Sequence, residues 1–196
     1  VRAATRGDGH IGEDVTRNAV NFINVPHRIN DRRHIVIRGE AVMPYAAFES
    51  INDTLPPDKR YRNPRNMAAG AAKVLDPKKT ATYGVRFIPF DVVNTMELGL
   101  TKLSQSLAFV KSLGFEPVEW TTVNKNTISQ IVDQKEKIVK TLPYPTDGLV
   151  IAYDDLVIRQ ILGSTSKYPR HSIALKWQDE LKTTILRGID WSVAKS

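Results

Sequence analysis

Apolar residues alternate with polar ones, or recur every third and fourth position, in a succession of segments that predicts the elements of the chain. Residues 1–5 read as a strand, Thr5-Arg6-Gly7-Asp8-Gly9 as a tight turn, and 12–20 as a short helix opened by acidic residues. The β-branched run Ile35-Val36-Ile37 predicts a buried strand over 33–43, with Arg38-Gly39-Glu40 set inside it. Residues 45–52 have apolar positions at helical spacing. The segment 61–77 pairs a proline-led basic entry with a helix of small residues. Residues 85–93 alternate as a strand in which Pro89 marks an edge or a bulge. A helix over 102–113 carries the stripe Leu103, Leu107, Val110 and Leu113 and stops at Gly114. A strand over 115–123 follows, then a helix over 127–141 with Ile128, Ile131, Val132 and Ile138 inward. Thr146-Asp147-Gly148 introduces an apolar strand ending near Tyr153. Residues 154–162 read as a loop and short helix, 163–169 as a loop, and 170–177 as another strand. Residues 178–182 are the linker before 183–196, and no repeat of domain size occurs. Strand pairs with segregated helices predict an α+β fold of mainly antiparallel sheets with flanking helices, not a doubly wound parallel one.

Composition narrows the classes of function. With 196 residues, 41% hydrophobic and 25% charged, the chain is an ordinary globular sequence long enough for one sizeable domain. The absence of cysteine excludes disulfides, thiolate zinc sites and cysteine nucleophiles, and suits a cytoplasmic location. No apolar run reaches the roughly 18 residues a spanning helix requires, and no basic-then-apolar leader is present, so no membrane partner is expected. Lys and Arg number 28 against 21 Asp and Glu, a net charge of +7 that favours a polyanion such as nucleic acid. The start at Val1 without Met, and the strand-like alternation cut short at 190–196, read as the ends of a fragment.

Candidate chemistry sits at the strand ends. A carboxylate taken into an apolar core loses its hydration, so Glu40 belongs where water, a cation or a ligand hydroxyl reaches it. A salt bridge at a strand end satisfies the same demand. Arg6 projects from a turn beside backbone amides, and Asp147 enters its strand from the loop side. Lys176 lies late in the last strand beside Trp177. On one helix, Arg65 and Lys73 would be about 12 Å apart on a shared face, able to bracket a phosphate or to form a solvated basic surface.

Taken in order, TRGDGHIGEDVTRN, RGEAVM, NPRNMAAGAAKVLDP, RFIPFDV, LPYPTDGLVI, LGSTSKYPR and IALKW resemble the adenylation domain of bacterial NAD-dependent DNA ligases over nearly the whole chain. The resemblance implies a nucleotidyltransferase fold over 1–182, lacking its N-terminal part, and the start of a truncated OB-fold over 183–196. It implies an enzyme family in which a lysine of a Lys-x-Asp-Gly motif attacks the α-phosphorus of NAD and expels nicotinamide mononucleotide. AMP then passes to a DNA 5′-phosphate and is displaced by the 3′-hydroxyl of the nick, in replication and repair. On this resemblance Arg6, Glu40, Phe90 and Lys176 bind the nucleotide: Arg6 at the nucleotide or its phosphate, Glu40 at the ribose hydroxyls, Phe90 against adenine, Lys176 at the α-phosphate. Asp147 supports Mg²⁺, so that Lys176, Asp147 and Glu40 form the catalytic set, while Arg65 and Lys73 contact nucleotide phosphates or the DNA 5′-phosphate. The implied partners are NAD or AMP and nicked double-stranded DNA, bound by a monomer.

Departures from the family pattern bear on competence. No Lys-x-Asp-Gly occurs in the sequence, so this polypeptide is expected not to self-adenylylate alone. Ala152 stands where a lysine is usual, Val139 where an arginine is common with Lys140 adjacent, and Lys73 replaces an arginine, keeping charge without the bidentate fork. His171 stands in a tryptophan position, where it reads as a packing or hydrogen-bonding residue. A non-catalytic nucleotide- or nucleic-acid-binding relative is the competing reading, and an ATP- or GTP-using relative is a third that the NPRN block disfavours.

Overall fold

Among the described residues the chain forms two separate two-stranded antiparallel sheets with helices between and around them. The computed structural model describes residues 1–9, 11–165, 168–176, 183–189 and 191. In chain order the elements are α1 (Thr16–Ala19), β1 (Ile37–Val42), α2 (Tyr45–Asn52), a 3₁₀ turn (Pro57–Lys59), α3 (Pro64–Ala71), α4 (Pro77–Thr82), β2 (Arg86–Val92), α5 (Leu103–Ser112), α6 (Ile128–Val139), β3 (Gly148–Ala152), α7 (Leu156–Leu162) and β4 (Ser172–Lys176). β1 pairs with β2 and β3 with β4. This is the mixed helix and antiparallel-sheet architecture that the hydropathy pattern predicts.

Local chemistry explains where the helices begin. Asn63 caps α3 by accepting the Asn66 N–H at 2.8 Å, and Pro64 takes the first helical position, where a missing N–H costs nothing. Asp76 and Pro77 repeat the device for α4. That helix is not among the elements predicted from periodicity, because its six residues are too few to show a stripe; the Asp-Pro pair is the signal that could have found it. Asp155 caps α7 by accepting the Val157 and Ile158 N–H groups.

One core gathers Phe22, Met43, Met67, Ala68, Ala71, Ala72 and Val85, where the small face of α3 lies on β1. Alanine permits that close approach. A second core holds Val92, Leu98 and Val110 beneath α5. Buried Asn18 joins α1 to α4, its Nδ2 donating to the Val74 carbonyl at 2.8 Å and to the Thr80 hydroxyl at 2.9 Å. The two sheets are linked through the start of α5: Ser104 donates N–H and hydroxyl bonds of 2.8 and 3.0 Å to the Asp154 carboxylate, just past β3.

Several expectations change. Residues 1–5 form no strand; Ala4 makes a lone bridge to Asp14. Residues 115–123 form none either, touching β2 through the Val118 N–H on the Pro89 carbonyl at 2.7 Å, because the proline and bulge in β2 leave no regular edge to extend. The α6 stripe is shallow, with Ile138 43% exposed, since α6 packs chiefly on the short strand β3. Lys73 lies beyond the end of α3, so Arg65 and Lys73 do not share a helix face. The strand at 170–177 is β4, but Trp177, the 178–182 linker and residues 190 and 192–196 of the segment read as an OB-fold start lie outside the described residues.

Candidate functional site

The site is built from ends of elements that converge on α3. Glu40 is exposed on β1, two residues past a register shift between Arg38 and Gly39. A Cβ on Gly39 would meet the Phe87 ring and the Ile88 carbonyl at 2.6 Å, so only glycine lets β2 cross here. The register shift leaves Phe90 opposite no residue of β1, with the residue 40% exposed. Pro89 is therefore at a bulge, as the sequence predicts.

Asp147 is aimed by its glycine neighbour. A Cβ on Gly148 would sit 2.0 Å from the Leu175 carbonyl oxygen, so the Asp147–Gly148 step approaches β4 more closely than any side chain permits. Gly148 faces Lys176 in the register, which brings the Lys176 charge within electrostatic reach of the Asp147 carboxylate. The preceding loop is pinned by the Pro143 carbonyl, which accepts the Tyr45 N–H of α2 at 2.8 Å. Tyr144, its phenol held protonated by burial, lies within reach of the charges of Arg86, Glu116 and Glu119. Arg86 pairs with Glu116, and Lys135 of α6 with Glu119.

From α3, Arg65 Nη2 donates to Asp147 Oδ2 at 2.9 Å, with both side chains more than half exposed. This bond, then the charges of Arg65 and Lys176, hold the Asp147 carboxyl below its ordinary range against a partial burial that pushes the other way. The hydrogen bond to Asp147 is the main support of the Arg65 charge, and Glu40 adds to it through space. Glu40, Arg65, Asp147 and Lys176 thus form one electrostatic cluster of two acids and two bases, open to solvent. An isolated strand-end ion pair is not what holds Glu40.

Among the described residues, three sequence candidates share no hydrogen bond or ion pair with that cluster. Lys73 Nζ pairs with Glu13 at 2.7 Å. Arg6 is exposed in the turn closed by the Gly9 N–H on the Arg6 carbonyl at 3.0 Å. Phe90 lies on β2 at the bulge. His171 behaves as its sequence reading expects, its Nδ1 accepting from Arg159 Nε at 3.1 Å. Burial, then the Arg159 charge, push the imidazole below its ordinary range. Arg159 Nη1 is buried without a partner, and neither it nor Glu13 was singled out from the sequence. The signal for Glu13 was the basic segment it would need to face, which only folding brings close.

Among the described residues, no three His, Cys, Asp or Glu side chains gather as a metal cage. Asp147 offers a single carboxylate. That fits a hard dication which keeps most of its waters and takes further oxygens from a bound phosphate. No described helix is long and apolar enough to cross a membrane.

Residues 1–180 match the family model described as NAD-dependent DNA ligase adenylation domain. Curated relatives include the DNA ligase of Lachnoclostridium phytofermentans, 39% identical over 198 residues, and that of Ruminiclostridium cellulolyticum, 37% identical over 199 residues. The DNA ligase of Anoxybacillus flavithermus is 36% identical over 200 residues. Each alignment covers all of this chain, which spans about 30% of the length of each of these relatives.

Proposed function

Since the chain belongs to the family of NAD-dependent DNA ligase adenylation domains, we propose that it forms the AMP-handling face of a protein that seals nicks in double-stranded DNA. The observation that carries this reading is the convergence of Glu40, Arg65, Asp147 and Lys176, which lie far apart in sequence, on one exposed polar surface. The domain takes the nucleotidyltransferase fold, and 183–196 open the domain that follows it. The working protein is a cytoplasmic monomer.

In this reading the lysine of a Lys-x-Asp-Gly segment, which these 196 residues do not contain, attacks the α-phosphorus of NAD. The P–O bond to nicotinamide mononucleotide breaks as the P–N bond forms. Phosphoryl transfer asks chiefly for oriented cations and a held nucleoside. Lys176 neutralises charge developing on the α-phosphate, Glu40 accepts from the ribose hydroxyls, and Phe90 offers an exposed ring to the adenine. Arg6 adds a cation near the nucleotide, while Arg65 and Lys73 receive phosphate oxygens of the nucleotide or of the DNA 5′ end. Asp147 would hold Mg²⁺, which supplies positive charge to the transferring phosphoryl group.

The test is to incubate the full-length protein with NAD and Mg²⁺ and weigh it. A mass gain of one AMP, lost on adding nicked duplex while the strand is joined, is the expected result. A folded protein that contains the lysine yet gains no mass would favour the non-catalytic binding relative, for which the alanine at 152 and the valine at 139 speak.

A further inference from the structure

A second polar cluster lies in a cleft of about 300 Å³ between α1 and the segment following α3, lined by Glu13, Asp14, Arg17, Asn18, Lys73 and Val74. Its two acids are held differently. Asp14 accepts the Thr16 N–H at 2.9 Å and is committed to starting α1. Glu13 is anchored by its backbone: the Thr5 N–H donates to its carbonyl at 2.9 Å, and its own N–H donates to the Thr5 hydroxyl at 3.0 Å. Its carboxylate reaches away to Lys73, and this pair is half or more exposed on both sides. The side chain can therefore leave while the loop stays in place.

The arrangement repeats that at Arg65, where Asp147 arrives from a distant segment. At both cations an internal carboxylate sits where a phosphate oxygen would be received. An exposed ion pair is weak, and DNA phosphates add counterion release on binding, so the exchange favours the nucleic acid. Arg17, exposed at the end of α1, puts a second cation on the rim.

We propose that Glu13 is a built-in stand-in for a phosphodiester: it occupies Lys73 in the free protein and is displaced by a backbone phosphate of DNA entering the cleft beside Arg17. This rests on the reading of Lys73 as a DNA contact. Displacement makes Glu13 a brake on binding, setting affinity without touching the reacting atoms.

The test compares wild type, Glu13→Gln, Glu13→Lys, Lys73→Gln and the double variant Glu13→Gln/Lys73→Gln, all as full-length protein, by fluorescence anisotropy with a labelled nicked duplex at fixed salt. Glu13→Gln is expected to tighten binding about two- to five-fold, the worth of one exposed ion pair, and Glu13→Lys to tighten it further. Lys73→Gln should weaken binding, and the double variant should match Lys73→Gln. Lys73→Gln without effect removes the underlying reading and this inference together. If Lys73→Gln weakens binding but Glu13→Gln and Glu13→Lys leave it unchanged or lower it, the brake is overturned and the Lys73 contact stands.

Discussion

Arg65 and Asp147, 82 positions apart in the sequence, meet through a bond of 2.9 Å between Nη2 and Oδ2. In the function proposed above, Arg65 would receive phosphate and Asp147 would support a dication, and here each satisfies the other. On that proposal, loading the site with nucleotide begins with an exchange of partners.

Arg65→Gln separates the structural from the functional share of that pair. Because both side chains are more than half exposed, stability should change by no more than about 1 kcal/mol in a denaturant titration. The rate of AMP transfer in the full-length protein should fall by about one to two decades, the worth of a charge-assisted contact to phosphate.

Glu40→Ala should weaken nucleotide binding by about ten- to a hundred-fold in calorimetry, with an unchanged circular dichroism melt. The side chain is exposed, so nothing in the core depends on it. Matched affinities in mutant and wild type would return Glu40 to a role in surface charge alone.

Gly148→Ala tests the backbone itself. The new methyl would have to displace the Leu175 carbonyl, 2.0 Å away, so the β3–β4 pairing must shift. A loss of about 2 kcal/mol or more is expected by urea unfolding, together with weaker metal-supported AMP transfer as Asp147 moves off its aim.

His171 ties stability to pH. Its folded-state value lies below the ordinary 6.5, so protonation opposes the fold. The His171 contribution is complete above pH 6.5 and is lost as pH falls through the lowered value. His171→Asn keeps an acceptor for Arg159 without titrating in this range. Its melting temperature should therefore fall less than that of wild type between pH 7.5 and 5.

The fold was legible where one residue type dominates a short stretch. The β-branched run before Arg38, the α5 stripe and the alternation around Pro89 each name their element, and all three elements form. Boundaries failed where pairing depends on a partner elsewhere: residues 115–123 have strand composition but meet a bulged edge. Of the residues proposed for the site, Glu40, Asp147 and Lys176 are legible as costly charges at the ends of apolar runs. Ion-pair partners are not, since nothing local to Lys73 points to Glu13, nor anything near Arg65 to Asp147.

The strand pairing has a consequence for synthesis. Ile37 is opposite Val92, with α2, α3 and α4 between them, and Gly148 is opposite Lys176. A ribosome must therefore release β2 before Glu40 is seated, and β4 before the Asp147 turn closes. Long-range closures of this kind are slow, so a nascent chain carries its acids and bases unassembled until the last strand emerges. Nucleotide binding on stalled chains of increasing length should switch on as β4 clears the exit tunnel.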